Sequence, residues 1–312
     1  MLLGSRAGQS VKVERFALDG VLMLDKPAGW SSNDALSKVK GLLAARKAGH
    51  TGTLDPFATG LLPICFGEAT KFSADLLEAD KGYEATARLG VTTTTGDIEG
   101  EVVAVNAVNV SREQLDAVVT QFCGSIEQVP PMYSALKHGG RPLYEYARAG
   151  QEVVRLARQV RIEALQTLSL EGDTWCFRVR CSKGTYIRTL AEDIGLALGC
   201  GAHLLGLRRT QVAQWSVTQA STLDSLQAMT LEQRQQACLP VDALLQTLPA
   251  LHLSDADAVR FCHGQRLKLS PLPAGAPARL RVYQASDARL LGTAQCDETG
   301  RLQPERLIAV KN

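Results

Sequence analysis

The sequence predicts an α+β protein, with a mixed sheet flanked by helices and a small C-terminal β module. Strand-like and helix-like segments alternate through most of the 312 residues, without the regular strand–helix–strand rhythm of a doubly wound fold. From about residue 250 the segments become short strands separated by turns, such as RLRVYQA and RLLGTAQC. We therefore expect one domain over residues 1–250 and a second over residues 251–312.

The N-terminal elements follow from hydrophobic periodicity. GVLMLDKPAGW indicates a short apolar strand that ends at a Pro/Gly turn. SSNDALSKVKGLLAARK places apolar residues on a helical period behind a Ser/Asn cap. LLPICFGEATKF and GYEATARLGVTT are typical of strands separated by a charged helix, and SREQLDAVVTQFCG is typical of a capped amphipathic helix.

The second half of the chain contains one segment of unusual composition. PPMYSALKHGGRPLYEYARAG combines prolines, glycines and tyrosines with three basic residues, which indicates an exposed arm at about residues 130–160. TWCFRVRC then predicts a strand, followed by a turn at Lys183 and Gly184, a helix, and an apolar strand ending in Arg208 and Arg209. STLDSLQAMTLEQRQQACLPVDALLQTLP is predicted to be helical and interrupted by proline.

Composition narrows the class of protein. Hydrophobic residues make up 45% and charged residues 21% of the chain, which is typical of a folded globular protein. The first twenty residues lack the apolar stretch of a secretory signal, and no run of about eighteen apolar residues occurs. We expect a cytoplasmic protein without a membrane span. The eight cysteines are scattered without a CxxC pair, which favours free thiols, and the five histidines include no HExxH, so no metal is predicted.

Basic charge is concentrated in separate stretches. The chain carries a net charge of only +2. Lysine and arginine outnumber acids by eight to four in residues 1–50, by six to two in residues 131–161 and by nine to six in residues 251–312. Such stretches are compatible with nucleic-acid binding, but solvated basic faces explain them equally well.

The stretch GHTGTLDPFATG, residues 49–60, contains the most informative loop. It has neither the GxxxxGK[ST] nor the GxGxxG pattern of a phosphate-binding loop. It sets one carboxylate, Asp55, before Pro56, which fixes the backbone, among glycines that allow close approach of a ligand. An aspartate that caps a turn would have the same local pattern, so the loop alone does not establish a catalytic site.

Longer motifs resemble the TruB family of tRNA pseudouridine synthases, whose opening blocks have the form DKPxGxxS and GHTGxLDPxATG. Both are present here, as DKPAG with Ser32 and as residues 49–60. Further matching blocks follow in order up to residue 209: GEATKF, KGYEATARLG, TTTGDIEG, PPMYSALKHGGRPLYEYAR, CSKGTYIRTLAEDIG and CGAHLLGLRR. The last sixty residues resemble a PUA module, a small RNA-binding pseudo-barrel, more loosely, through FCHGQRL and LLGTAQCDETGRLQPERL.

The resemblance implies a pseudouridine synthase catalytic fold and a set of site residues. It places the nucleophilic aspartate on Asp55, the base-stacking tyrosine on Tyr83 and the active-site arginine on Arg188. The remaining implied substrate-binding residues are His50, Lys71, Tyr186 and Leu207, with Lys71 in a motif that lines the same cleft. The Tyr83 hydroxyl is implied to take part in the final proton removal at C5 of the base.

These residue types suit the chemistry. The carboxylate must be ionised to attack or to take a proton; an apolar cleft would raise its pKa, and an adjacent guanidinium would oppose that rise. Structural alternatives exist for most of the set. Arg188 could pair with Glu192 one turn later, Leu207 could belong to the core, and His50 could be a turn residue.

The resemblance implies isomerisation of uridine to pseudouridine at the position numbered 55 in the T loop of tRNA. It implies a tRNA partner bound through its T arm, and no metal, nucleotide or protein cofactor. It also implies no guide RNA and no obligate protein partner. Two alternatives remain open: a protein that mainly folds or escorts tRNA, and a related synthase that modifies another uridine.

Overall fold

The computed structural model describes residues 15–270 and 278–309; residues 1–14, where the first basic stretch begins, lie outside these ranges. The strands of the first part of the chain are β1 Gly20–Lys26, β2 Ala48–His50, β3 Thr59–Phe66, β4 Lys81–Leu89, β5 Val91–Thr93, β6 Val102–Val105, β7 Gly124–Gln128, β8 Lys137–His138, β9 Arg141–Pro142, β10 Arg158–Glu171, β11 Thr174–Cys181, β12 Ala202–Val212, β13 Trp215–Ser216 and β14 Ser221–Thr222. Those of the last part are β15 Ala250–Leu253, β16 Leu267–Lys268, β17 Ala278–Gln284, β18 Leu290–Cys296 and β19 Arg301–Leu307.

The α-helices are short. They are α1 Ser32–Leu42, α2 Ser73–Leu77, α3 Arg112–Gln121, α4 Leu143–Arg148, α5 Ile187–Ala197, α6 Leu223–Ala228, α7 Leu231–Gln236 and α8 Asp255–Cys262. Three 3-10 helices cover Gly67–Phe72, Val217–Gln219 and Val241–Leu245. None of the helices in the described ranges is long and apolar enough to cross a membrane.

A mixed sheet forms the centre of the larger part. Its strands lie in the order β14-β1-β3-β12-β4-β11-β10-β7, with β2 on β3 and β13 on β12. The β1–β14 and β3–β12 pairs are parallel, and the other pairs are antiparallel. The mixed sheet predicted from the irregular alternation of elements is therefore confirmed.

Helices α1, α3 and α5 pack on the core of this sheet. Ala35 and Val39 of α1 and Leu115 and Val119 of α3 are buried in it, which is the face that the sequence period predicts. Serine caps both helices: Ser31 accepts from the backbone at the start of α1, and Ser111 forms a capping box at the start of α3. The predicted helix starts are thus confirmed.

Two predicted strands are shorter than expected. LLPICFGEATKF is a strand only up to Phe66, because Gly67 adopts φ 52° and the chain turns into a 3-10 helix. GYEATARLGVTT is divided into β4 and β5 at Gly90, which has φ 82°. The long strand β10 and strand β7 were not predicted: the alternation in VRIEALQTLSL is interrupted at Ala164 and Leu165, where the strand has a register shift, and GSIEQ contains one large apolar residue.

The C-terminal part forms a separate five-stranded sheet in the order β15-β17-β18-β19-β16. Helix α8 covers it, and Phe261 of α8 is buried with Leu280 and Val282 in a core of its own. The small β module expected from the turn-rich sequence is present. Arg279 of β17 is paired with Asp75 of α2, so this module contacts the larger part at α2.

The predicted arm comprises the β8–β9 hairpin, α4 and an extended segment. The hairpin residues Lys137, His138 and Arg141 are exposed. Arg141 lies over the ring of Tyr146 at 4.9 Å and pairs with Glu145 at 3.3 Å. All eight cysteines lie in the described ranges, and all are free thiols as expected.

Candidate active site

Asp55 lies in the loop between β2 and β3, and α1 fixes this loop. The Ser32 hydroxyl donates to the Leu54 carbonyl at 2.9 Å and accepts from the Leu54 amide at 2.8 Å. The Gly29 amide donates to the Pro56 carbonyl at 2.8 Å. The two opening motifs of the sequence therefore meet in space, since residues of DKPAGWSS hold the backbone on both sides of Asp55.

A buried lysine adds to this support. The ammonium of Lys26 donates to the carbonyl oxygens of Trp30 at 2.7 Å, Pro27 at 3.0 Å and Pro56 at 3.4 Å. Burial lowers the pKa of Lys26 to about 8, and the charge of Asp55 opposes that change. Lys26 thus ties the end of β1 to the loop of the candidate nucleophile.

Arg188 on α5 is the direct partner of Asp55. Its Nε lies 3.1 Å from Asp55 Oδ2 and 3.4 Å from Asp97 Oδ2. Its two terminal nitrogens each donate at 2.7 Å, to the carbonyls of Thr95 and Tyr133. The guanidinium is only 4% exposed, so four contacts fix both its position and its plane.

The alternative pairing of Arg188 with Glu192 is not what the structure contains. In the described residues, the ion pairs of Arg188 are those with Asp55 and Asp97. Asp97 is itself held, because its Oδ1 accepts from the Thr95 hydroxyl at 2.6 Å and from the Glu99 amide at 3.0 Å. Sequence reasoning assigned no role to Asp97, although it lies within the quoted block TTTGDIEG.

Electrostatics at Asp55 follow the expected balance. Burial raises the pKa of Asp55, Arg188 opposes the rise, and the second carboxylate of Asp97 adds to it. The Asp55 side chain nevertheless remains 35% exposed, so a substrate can reach it. The site holds an accessible carboxylate whose ionised form is favoured mainly by the buried Arg188 guanidinium and, to a smaller extent, by the charge of Lys26.

Asp55 lies on the wall of a cavity of about 340 Å³. Five of the seven predicted site residues line this cavity: Asp55, Tyr83, Tyr186, Arg188 and Leu207. Leu77, Lys81 and Arg209 line it as well. Residues from distant blocks of the sequence converge here because β12 pairs with β4, and because α5 follows β11 directly.

Tyr83 and Tyr186 reach the cavity from different elements. Tyr83 on β4 is 7% exposed, and burial raises its pKa. Tyr186 precedes the first residue of α5, where its amide donates to Gln128 Oε1 at 2.8 Å and its carbonyl accepts from Gln128 Nε2 at 3.1 Å. Leu207 is partly buried against the core and also lines the cavity, so the core alternative and the site alternative both describe it.

His50 and Lys71 are not among the residues that line this cavity. His50 lies in β2, where burial and the charge of Arg209 lower its pKa, and its Nδ1 has no hydrogen-bond partner among the described residues. Lys71 lies on the 3-10 helix after β3 and donates to Glu68 at 2.6 Å and to the Leu307 carbonyl at 2.9 Å. The sequence placed Lys71 in a motif that lines the cleft, but the Lys71 side chain does not line this cavity. It points instead to Leu307 of the C-terminal module.

A second cavity, of about 390 Å³, also borders Asp55. Asp97 and Glu99 line it together with Tyr144 and Arg148 of the arm. The Arg148 guanidinium lies over the Tyr144 ring at 5.4 Å. The arm therefore contributes side chains next to the candidate nucleophile as well as an exposed hairpin.

Lys81 and Arg209 are cavity residues that sequence reasoning missed. Lys81 donates to the carbonyls of Leu76, Leu77 and Ala79 at 3.3, 3.0 and 2.6 Å, and burial lowers its pKa to about 8. Both residues stand two positions from a predicted site residue, Tyr83 or Leu207, in a strand. Since alternate residues of a strand share a face, this spacing was a usable signal.

Comparison with known proteins identifies the sequence relatives. The N-terminal domain of the TruB family of pseudouridylate synthases matches residues 40–187. The C-terminal domain of tRNA pseudouridylate synthase B matches residues 188–248, and the C-terminal domain described for pseudouridine synthase II TruB matches residues 249–308. Together the three matches cover most of the chain.

Full-length relatives agree with these matches. A protein of Burkholderia mallei named tRNA pseudouridine synthase B is 60% identical over 301 residues, covering 95% of this chain and 96% of its own. One of the same name from Ralstonia nicotianae is 58% identical over 310 residues, covering 97% of this chain and 98% of its own. Among solved structures, the crystal structure of a Cbf5-Nop10-Gar1 complex contains a chain with a TM-score of 0.71 and 26% identity, covering 93% of this chain and 85% of that chain.

Proposed function

The chain belongs to the TruB family of pseudouridine synthases, and on this premise we propose that it modifies one uridine of tRNA, at the position numbered 55 in the T loop, with Asp55 as the nucleophile. It is an enzyme that isomerises uridine to pseudouridine in tRNA, as its relatives named tRNA pseudouridine synthase B indicate. The observation that carries the assignment to Asp55 is its pairing with Arg188 at 3.1 Å on the wall of the cavity that Tyr83 lines.

The reaction rearranges bonds without oxidation or reduction. The bond from ribose C1′ to N1 of uracil breaks, the detached base turns, and C1′ forms a bond to C5. An ionised carboxylate can add to C1′ or to the base, or take a proton from C2′. Each route needs the anionic form of Asp55, which the charge of Arg188 favours against the effect of burial.

The cavity suits a base that has been turned out of the RNA stack. Tyr83 and Leu207 give it an aromatic and an apolar surface, and stacking of a base on an aromatic ring contributes about 1–3 kcal/mol. The base must leave its loop before Asp55 can reach it. We assign Tyr83 to stacking, Tyr186 and Leu207 to the remaining contacts with the nucleotide, and His50 and Lys71 to contacts with RNA outside the cavity.

Several surfaces are available for the rest of the tRNA. The arm presents Lys137 and Arg141 on its exposed hairpin, and the C-terminal module adds basic strands. We propose that this module is a PUA-like domain from residue 251 onward and that both surfaces contact phosphates of the T arm. Phosphate contacts would position the RNA, while the cavity would select the uridine.

We further propose that the enzyme acts in the cytoplasm without a guide RNA or an obligate protein partner. The support is that one chain supplies the carboxylate, the arginine and the tyrosines of the cavity. The Cbf5 relative was solved with Nop10 and Gar1. Activity of the purified protein alone on tRNA would therefore distinguish an enzyme that acts by itself from one that requires protein partners. A protein that only escorts tRNA would not need an accessible carboxylate, Asp55, paired with the buried guanidinium of Arg188.

The test is to incubate the purified protein with unmodified tRNA transcripts and to map pseudouridine base by base. We expect modification at position 55 alone, and none in a transcript that carries cytidine there. Modification of another uridine in both transcripts would support the related-synthase alternative. Binding without any pseudouridine would support the escort alternative.

A further inference from the structure

Arg209 on β12 is a buried cation without a carboxylate partner. It is 1% exposed, and in the described part of the chain it forms no ion pair with an aspartate or glutamate. Its Nε donates to the Leu61 carbonyl at 2.7 Å and Nη2 donates to the Gly52 carbonyl at 3.1 Å. Burial of a charge that no counter-ion balances is unfavourable, so its retention beside the cavity calls for a functional reason.

The fold directs this guanidinium at Tyr83. Arg209 and Tyr83 are direct neighbours across the antiparallel pair β12–β4, so their side chains lie on the same face of the sheet. Both line the cavity of Asp55, and the Arg209 charge acts on the Tyr83 hydroxyl, whose pKa it lowers against the effect of burial. Arg209 therefore places a buried positive charge beside Tyr83 on the wall of the cavity.

The backbone around Arg209 is fixed from the other side. Arg209 is paired with Gly60 across the parallel strands β3 and β12. A Cβ atom at Gly60 would lie 2.3 Å from the Arg209 carbonyl oxygen, so only glycine permits this approach. Strand pairing thus fixes the backbone of Arg209, and two backbone carbonyls fix the nitrogens of its guanidinium.

We propose that Arg209 is a positioning residue that holds the Tyr83 oxygen as the acceptor of the proton leaving C5 of the base. The inference rests on the proposed function and concerns its last step. After C1′ has joined C5, the ring carries a hydrogen at C5 and a double bond between N1 and C6. The Tyr83 hydroxyl first gives its proton to solvent. The phenolate oxygen then takes the C5 proton, the electron pair of the C5–H bond forms the C5–C6 double bond, the π pair of the N1–C6 bond moves to N1, and N1 takes up a proton from solvent. One proton is released and one is taken up, so no proton is gained or lost overall.

The charges around Tyr83 support this role. Burial raises the pKa of Tyr83, and the Arg209 charge opposes the rise, whereas Cys181 and Asp55 add to it. Lys81 and Arg188 also line this cavity, but the Lys81 ammonium donates to three backbone carbonyls and Arg188 pairs with Asp55 and Asp97. Arg209 is therefore the cation that can stabilise the Tyr83 phenolate before it accepts the proton.

The test uses T-arm RNA labelled with deuterium at C5 of the target uridine, under single-turnover conditions. With Arg209→Met we expect conversion to slow by roughly 10²-fold, the low end for loss of positioned proton transfer, and to become slower with deuterium than with hydrogen. Tyr83→Phe should show the same isotope dependence. The double variant should be little slower than either single variant, because both remove the same assistance.

Matched variants separate this role from a structural one. Arg208→Gln alters the neighbouring arginine, which pairs with Asp25 at 2.7 Å, and should leave conversion without an isotope effect. If Arg209→Met does not fold, Arg209→Lys and Arg209→Gln replace it, because only the lysine variant retains a buried cation. Arg209→Lys should be faster than Arg209→Gln. Its rate should also level off at a lower pH.

Two failures are distinguishable. Slow conversion without an isotope effect, combined with additive losses in the double variant, would overturn the positioning role while leaving the synthase activity intact. Absence of pseudouridine in the wild-type reaction would instead contradict the proposed function.

Discussion

Arg188 Nε lies 3.1 Å from Asp55 Oδ2, joining helix α5 to the loop that precedes β3. The arginine is almost fully buried, whereas the aspartate is partly exposed to the cavity. The cation is therefore held by the protein while the anion faces the cavity. This arrangement makes the ionisation of Asp55 depend on Arg188.

A pH profile tests that dependence. Burial raises the pKa of Asp55 and Arg188 opposes the rise, so activity should fall as pH decreases through a range above the usual aspartate pKa of about 3.9. Arg188→Gln removes the opposing charge, and the acidic limb should then move to higher pH. At neutral pH we expect turnover to drop by roughly 10²-fold or more, since a fixed cation next to the reacting group is lost.

The control for this profile is Arg188→Lys, which retains the charge but not the four contacts. Its acidic limb should lie closer to the wild-type limb than that of Arg188→Gln. If all three proteins share one acidic limb, the pairing of Arg188 with Asp55 has no electrostatic role in the reaction.

Tyr83→Phe separates stacking from the role of the hydroxyl. The ring remains, so affinity for T-arm RNA should stay within a few fold, while formation of pseudouridine should slow because a chemical step after bond cleavage is affected. Quench-flow measurement of product and a binding titration give the two quantities. Equal losses of affinity and rate would indicate a purely structural tyrosine.

Much of the site could be predicted because its residues lie in contiguous motifs. Asp55, Tyr83, Arg188, Tyr186 and Leu207 were placed by their blocks, and the structure brings them around one cavity. Their individual roles stay predictions. The helices α1 and α3 were predictable because serine caps and apolar periods are local signals.

The remaining features depend on pairings between distant segments. The unpaired charge of Arg209 becomes visible only when β12 lies between β3 and β4, and a strand pattern does not specify its neighbours. Lys71 was misplaced for a related reason, because its partner at Leu307 is more than two hundred residues away. The strand before Gly67 ends earlier than predicted because Gly67 adopts a positive φ. The apolar residues before it gave no sign of this turn.

The arm makes a prediction about salt dependence. Each of Lys137→Ala and Arg141→Ala should lower the slope of log affinity against log salt by roughly one unit, the effect of one phosphate contact, without changing which uridine is modified. Arg148→Ala should also reduce turnover, because Arg148 lines the second cavity beside Asp55. Titration of T-arm RNA across a salt series, with product mapping, checks both outcomes. Unchanged slopes would make the arm a solvated basic surface.

Deletion of residues 251–312 should weaken tRNA binding but leave measurable activity on an isolated T-arm stem-loop. The residues that line the cavity all precede residue 210. Activity should nevertheless be reduced, because Arg279 of the deleted part pairs with Asp75 on α2, whose Leu77 lines the cavity. Arg279→Ala in the intact chain should reproduce the reduction without the loss of binding. A truncated protein that is folded but inactive on the stem-loop would contradict this division of roles.

The most direct measurement of the central claim compares Asp55→Asn with wild type on an unmodified tRNA transcript. Asparagine keeps the shape of aspartate but is not a nucleophile. The matched control is Asp116→Asn, which alters an exposed ion pair with Arg112 on α3 and should convert position 55 like wild type. We predict no pseudouridine with Asp55→Asn and tRNA affinity within a few fold of wild type. Turnover by Asp55→Asn at even about a tenth of the wild-type rate would contradict the assignment of Asp55 as the nucleophile.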